Sequence, residues 1–308
     1  MIKNIPKGEE FERLGLECIT KAFEMIYKVG YDYSELSNDE VISEEVTEEA
    51  YWEHNAITVR TSFIVFYQGL EYLMKMRISQ KSSLLLIDNN KADWPTLPAK
   101  KDKNFDELIT ISGENLLNVF CAIVNSDFEL EDFVLRFEKL RLKRNKLVHS
   151  TGVKDLDYKL IVKEILFFLS KFYVKDKWIE LFREMFVSHP TFGYWDWDIE
   201  GAHYYQILNF VESTLTKGEL NKYLPFDIKS RRYFCPTCTY WLNKEFDVIP
   251  SPKWTFLTPN SPESTMIKCL VCNKEHEIER QECETAGCKG NVISNENYEN
   301  QCLTCSHE

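Results

Sequence analysis

The sequence predicts a mainly α-helical protein, an antiparallel helical bundle over residues 1–229 followed by a small β-rich metal-binding domain over residues 230–308. Three observations carry this reading. Through most of the first 215 residues, apolar side chains recur at three- and four-residue steps, the signature of helices that bury one face. Eight of the ten cysteines fall in four close pairs after Phe234, while Cys18 and Cys121 stand alone. Glycine occurs only 11 times and proline 10 times in 308 residues, and aromatic residues reach 14%, which excludes collagen-like, linker-like and disordered chains.

The first helix is written from Gly8 to Val29, where Phe11, Leu14, Cys18, Ala22, Met25 and Val29 share a face. Residues 31–50 hold eight acids and no Lys or Arg, a solvated spacer that becomes helical late. A long helix follows from about Glu48 to Ile78. It is apolar around much of its circumference (Phe63, Ile64, Phe66, Leu70, Leu73, Met74), interrupted by Arg60 and Glu71, so it should be central. Pro95, Pro98 and the charges among them make Asp88–Asn104 a loop, with basic Lys100, Lys101 and Lys103. Helices resume at Phe105–Val124 and Leu130–His149. Asp155–Val187 repeats the pattern with Tyr158, Ile161, Ile165, Phe168 and Phe172. After an aromatic loop from His189-Pro190 to Trp195-Asp-Trp197, a last helix runs from about Glu200 to Leu215. Six helices with mostly short connections describe an antiparallel bundle.

The cysteines mark the second domain. Cys235-Pro-Thr-Cys238 and Cys269-Leu-Val-Cys272 are pairs of tight turns, each aiming two thiolates at one tetrahedral ion. The second quartet is Cys283, Cys288, Cys302 and Cys305. Both resemble zinc ribbons. With no signal segment evident, a soluble protein of the reducing cytoplasm is expected, where clustered cysteines hold metal rather than disulfides. Two structural zinc ions per chain follow, paired sequentially, with an interleaved cross-brace as the alternative. His276 and His307 are spare ligands by type. Tyr233-Phe234, Trp254-Thr-Phe256, Met266-Ile267 and Val292-Ile-Ser294 are short β-type runs among prolines 250, 252, 259 and 262. A unit this small needs its metals to fold. Four thiolates per ion leave no open position, which excludes a zinc hydrolase.

Net charge is −12, and the tail from Ser230 onward carries eight Lys or Arg against eleven Asp or Glu. A protein that coats duplex DNA or an anionic membrane by bulk electrostatics is thereby excluded, and the tail suits packing or protein contact. No apolar stretch approaches a membrane span.

One segment carries chemistry. In Leu130–His149, Arg136, Lys139, Arg141, Lys143, Arg144 and Lys146 face only Glu138 after the first turn, a concentrated basic patch in an acidic protein. On a helical wheel Arg144 falls in the middle of the stripe formed by Phe133, Phe137, Leu140, Leu147 and Val148. A buried guanidinium needs a partner, so either a carboxylate such as Glu71 neutralises it or it faces a wet cleft meant for an anion. Asn145 and His149, four residues apart, share a flank. Ser150-Thr151-Gly152 stops the helix, leaving His149 in a last turn whose dipole favours imidazolium.

Arg144-Asn145-Lys-Leu-Val-His149 resembles the R-x4-6-H motif of the HEPN superfamily of helical nucleotide-binding and ribonuclease domains, with Asn145 matching the polar residue that follows the arginine. Ser150 also looks like the family, and the likeness covers about residues 8–220 in architecture. It implies a metal-independent endoribonuclease, such as a toxin or antiviral defence effector, that works as a homodimer with the motifs of two subunits in one cleft. Arg144, Asn145 and His149 would then be catalytic, and Arg141, Lys143 and Lys146 would bind RNA. An antitoxin or other regulatory protein is a further expected partner. The alternative is a non-catalytic helical dimer that binds a protein or nucleotide, with the ribbon as its recognition surface.

Overall fold

The computed structural model describes residues 1–38, 47–88, 94–95, 101–124, 129–149, 156–187, 197–245, 253–297 and 299–306. The chain is mainly helical and divides into two compact units, Met1–Phe172 and Tyr173–Glu308. Helices beyond Phe172 pack with the cysteine-rich region, a partnership that cysteine spacing does not reveal.

In the first unit, α1 (Gly8–Asn38) lies against α3 (Ala56–Ser82), with the short α2 (Glu48–His54) between them in sequence. A Cβ added at Gly69 would meet the Gly15 carbonyl oxygen at 2.9 Å, and one added at Gly15 would meet the Gly69 oxygen at 3.1 Å. The two backbones touch there because neither residue has a side chain. One end of the seam brings Gly8 to Ser79, and farther along the buried Ser62 hydroxyl donates to the Ala22 carbonyl at 2.8 Å. The expected continuous helix from Glu48 is broken at Asn55, whose Nδ2 donates to the Tyr51 carbonyl at 3.0 Å and closes α2 as a cap. As expected, α3 is central: Phe63, Phe66, Leu70, Leu73 and Met74 are wholly buried.

The helix expected from Phe105 begins later. Phe105–Glu107 forms a single 3-10 turn, and α4 spans Gly113–Ile123. Gly113 starts it at a φ of +56°, a conformation that disfavours any side chain. The helices α5 (Leu130–His149) and α6 (Tyr158–Phe172) complete the unit. Phe133 is their shared anchor, with ring centroids 5.1 Å from both Phe120 and Phe168. A two-stranded parallel ribbon, β1 (Ile2–Lys3) with β2 (Lys103–Asn104), ties down the N-terminus.

The periodic run read as one element to Val187 is interrupted at Tyr173–Asp176, where the second unit begins. There α7 (Lys177–Val187), α8 (Trp197–Thr214) and the single turn α9 (Lys217–Leu220) follow, and α7 and α8 contact the cysteine-rich region. Trp254 donates to Asn209 Oδ1 at 3.0 Å, and Arg232 grips both Glu212 oxygens while its guanidinium lies 4.7 Å from the Trp254 ring centre. Arg183 donates to the carbonyls of Leu270 and Val271, inside the second cysteine turn. The first cysteine turn opens a helix that β-type reading missed, α10 (Pro236–Glu245). Proline suits a first helical position because its missing N–H would have no partner there. β3 (Thr255–Leu257), β4 (Met266–Cys269) and β5 (Glu275–Glu277) form an antiparallel sheet, and β6 (Ile293–Ser294) pairs with β7 (Gln301–Cys302). Tyr233, Leu257, Ile267, Ile278, Val292 and Leu303 join both sheets in one small core. Among the described residues no helix is long and apolar enough to cross a membrane. Ser150-Thr151-Gly152, His189-Pro190, Trp195 and His307 lie outside the described residues.

Candidate metal centres and the Arg-His segment

The four pairs of cysteines assemble as two groups of four, Cys235, Cys238, Cys269 and Cys272 in one and Cys283, Cys288, Cys302 and Cys305 in the other, with all four sulfurs of each within 4.8 Å of one another. Sequential neighbours share a group and no interleaving is seen. The nearest sulfurs are 3.6 Å apart between Cys235 and Cys272, 3.7 Å between Cys238 and Cys269, 3.8 Å between Cys283 and Cys305, and 3.9 Å between Cys288 and Cys302. A disulfide needs about 2.05 Å. A tetrahedral ion bound at about 2.3 Å sets its sulfurs about 3.8 Å apart, so the donor set fits a metal and not a pair of disulfides.

The turns also aim backbone donors at sulfur. Cys238 N lies 3.5 Å from Cys235 Sγ, Thr285 N lies 3.4 Å from Cys283 Sγ, and Gly290 N lies 3.3 Å from Cys288 Sγ. Such donors favour the thiolate. Hydrogen bonds from Cys235, Cys238 and Cys269 hold the Cys272 thiol well below its ordinary range. Three of the four sulfur ligands of the first group belong to buried residues, whereas only Cys302 of the second does.

His276 completes the first group without joining it. Its ring is 3% exposed, Nε2 stands 3.3 Å from Cys235 Sγ, and Nδ1 faces Glu296 at 2.7 and 2.9 Å. Sequence reading noted His276 only as a spare ligand and missed Glu296, which comes from the turn between β6 and β7. No local spacing could have paired them, since the contact depends on two separate hairpins meeting.

At the end of α5 the buried stripe is shorter than the wheel suggests. Phe133, Phe137 and Leu140 are buried, Arg144 and Leu147 are half-buried, and Val148 is 47% exposed. The last turns run past the core, and Arg144 keeps part of its surface exposed. Arg144 Nη1 donates to Asn145 Oδ1 at 3.3 Å, and no ion pair holds Arg144 among the described residues. Glu71 is not its salt-bridge partner. That carboxylate, 9% exposed, accepts the Gly113 N–H at 3.2 Å, and its charge opposes the effect of burial, which lowers the Lys75 ammonium. Tyr67 stands between the two systems: burial and the Glu71 charge push its phenol up, while Arg144 and Arg141 draw it down.

Asn145 is half-buried, and His149 and Lys146 are exposed. Of the other expected RNA-binding cations, Lys143 is half-buried and Arg141 donates three hydrogen bonds to Glu138, at 2.8, 3.0 and 3.1 Å, which raises its pKa. The segment thus offers a hydrogen-bonded guanidinium, an amide and an imidazole along the last turns of one helix. Chemically, these could bind an oxyanion and move a proton. Comparison of the chain with protein-family models, with curated proteins and with solved structures finds no match.

Proposed function

We propose that the chain is a metal-independent endoribonuclease of the HEPN type, an antiparallel helical bundle that works in the cytoplasm as a homodimer and carries a tail stapled by two structural zinc ions. The observation that supports it best is the state of Arg144: half-buried, joined to Asn145 and without a carboxylate on it among the described residues, with exposed His149 in the last turn of the same helix. A guanidinium without an ion pair among the described residues suits a phosphate.

In this reading His149 of one subunit accepts the proton of an RNA 2′-hydroxyl as the 2′-oxygen bonds to phosphorus. The bond from phosphorus to the 5′-oxygen breaks, and the same histidine of a second copy supplies the proton that the leaving oxygen takes up. Arg144 stabilises charge on the crowded phosphorane, Asn145 orients a phosphate oxygen or the facing histidine, and Lys143, Lys146 and Arg141 hold the backbone. The products end in 2′,3′-cyclic phosphate and 5′-hydroxyl. Zinc in the cysteine groups would supply folding free energy to the tail, since four thiolates close each shell. An antitoxin or other regulatory protein is the natural partner of such an activity.

A second reading, a non-catalytic helical dimer that binds a protein or nucleotide, draws on the net charge of −12 and on Leu135 and Leu142, which are 55% and 54% exposed on α5. The two readings are separated by incubating the purified chain with mixed cellular RNA, with and without EDTA, beside Arg144→Ala and His149→Ala. Cleavage by the parent and not by either variant supports the ribonuclease, whereas an inert parent that still dimerises supports the scaffold.

A further inference from the structure

The first cysteine group is more than a set of four ligands. β5 carries His276 under Cys235, and the ring is pinned from behind by Glu296. A carboxylate and a metal-bound thiolate are both acceptors, and the ring donates to both as imidazolium, with each nitrogen protonated. Donors to a ligating sulfur spread its charge and hold it in place, and such outer partners commonly change metal affinity ~10–100-fold when removed.

Glu296 does not belong to the first group's own hairpin. It sits in the turn between β6 and β7, and β7 ends in Cys302, a ligand of the second group. That turn is braced by Asn295, whose Nδ2 donates to Glu279 at 3.0 Å and whose Oδ1 accepts from Asn300 N at 2.7 Å. A physical chain therefore runs from Cys302 through the β6–β7 pair to Glu296, His276 and Cys235.

We propose that His276 and Glu296 are positioning residues that couple the two metal sites, so that the ion in the second group, by fixing the β6–β7 turn, slows loss of the ion from the first. The proposal rests on the metal reading of the two groups. It adds that the more exposed second site guards the buried first one, an influence on the rate of ion loss that need not be symmetric.

The test uses the full chain with zinc bound, its metal content measured beforehand. Excess EDTA is added and freed cysteines are alkylated over time, with peptide mapping to report each group separately. Glu296 is 40% exposed, so Glu296→Ala should fold. In that variant the Cys235 group should become alkylated ~10-fold faster, with the Cys283 group changed by less than roughly twofold, the scale expected for loss of an outer hydrogen bond. Glu296→Gln, which keeps an acceptor oxygen, should fall between parent and alanine. Opening the second site with Cys288→Ser should speed the first group comparably, and should add nothing further in the Glu296→Ala background. An unchanged first-group rate in Glu296→Ala, or full additivity in the double variant, would overturn the coupling. A parent chain that holds no metal before EDTA is added would instead overturn the metal reading on which it stands.

Discussion

Among the described residues Arg144 and His149 hold no ion pair, whereas Arg141 is tied to Glu138 and Arg136 to Asp132 and Glu164. If they perform the chemistry, Arg144→Ala and His149→Ala should each lower RNA cleavage by about 10²-fold or more, with circular dichroism unchanged. Lys143→Ala should act differently, weakening RNA binding and reducing its salt slope by roughly one contact. Glu164 makes a separate prediction. Its residue is 8% exposed, burial raises its carboxyl pKa, and Arg136 at 3.1 Å only partly offsets this; Oε2 has no hydrogen-bond partner among the described residues. An acid whose folded pKa lies above its unfolded one contributes stability that is fully present below the unfolded value and fades as pH rises through the folded value. The stability of the parent relative to Glu164→Gln should therefore fall as pH climbs above the ordinary glutamate range. Urea midpoints measured for both proteins across that range would show it, and a constant difference would count against it.

The elements were legible to the extent that one local signal fixed them. The cysteine quartets were read correctly because each ligand pair is a short turn, and Phe133, Phe137 and Leu140 because a single period sets a buried face. What escaped depends on contacts distant in sequence. Asn55 divides a continuous apolar run because its amide caps α2, Gly113 delays α4, and Glu71 answers Gly113 and Lys75 instead of Arg144. Ordinary apolar spacing likewise conceals the glycine seam between α1 and α3. A methyl at Gly69 would lie 2.8 Å from Ile19 Cγ1 as well as 2.9 Å from the Gly15 oxygen, and backbone cannot swing aside as a flexible side chain can. Gly69→Ala should cost about 1–3 kcal/mol through overpacking, seen as a lower urea midpoint at an unchanged slope. Gly218, with open space at its Cβ position, is the control whose alanine variant should show no such loss.

At the scale of the whole molecule, the metal groups lie in one compact unit and the Arg-His segment in the other. Folding of the tail and chemistry at α5 should thus answer to different treatments. Prolonged chelation should unfold the cysteine-rich layers, since about ten kcal/mol or more of a small domain's folding free energy commonly comes from a structural zinc, while the helical signal of residues 1–172 persists. Brief EDTA treatment, too short to empty the buried first group, should leave RNA cleavage running if no ion takes part in the reaction. The pH profile gives the same division a second readout. Two histidines acting as base and acid need one neutral ring and one charged ring at the outset, so cleavage should rise and then fall across the range in which imidazoles titrate. His149→Ala should remove that bell without altering the oligomeric state seen by light scattering. Cleavage that survives His149→Ala, or that stops at once with EDTA while both units remain folded, would overturn the mechanism and leave the helical scaffold as the better account of this chain.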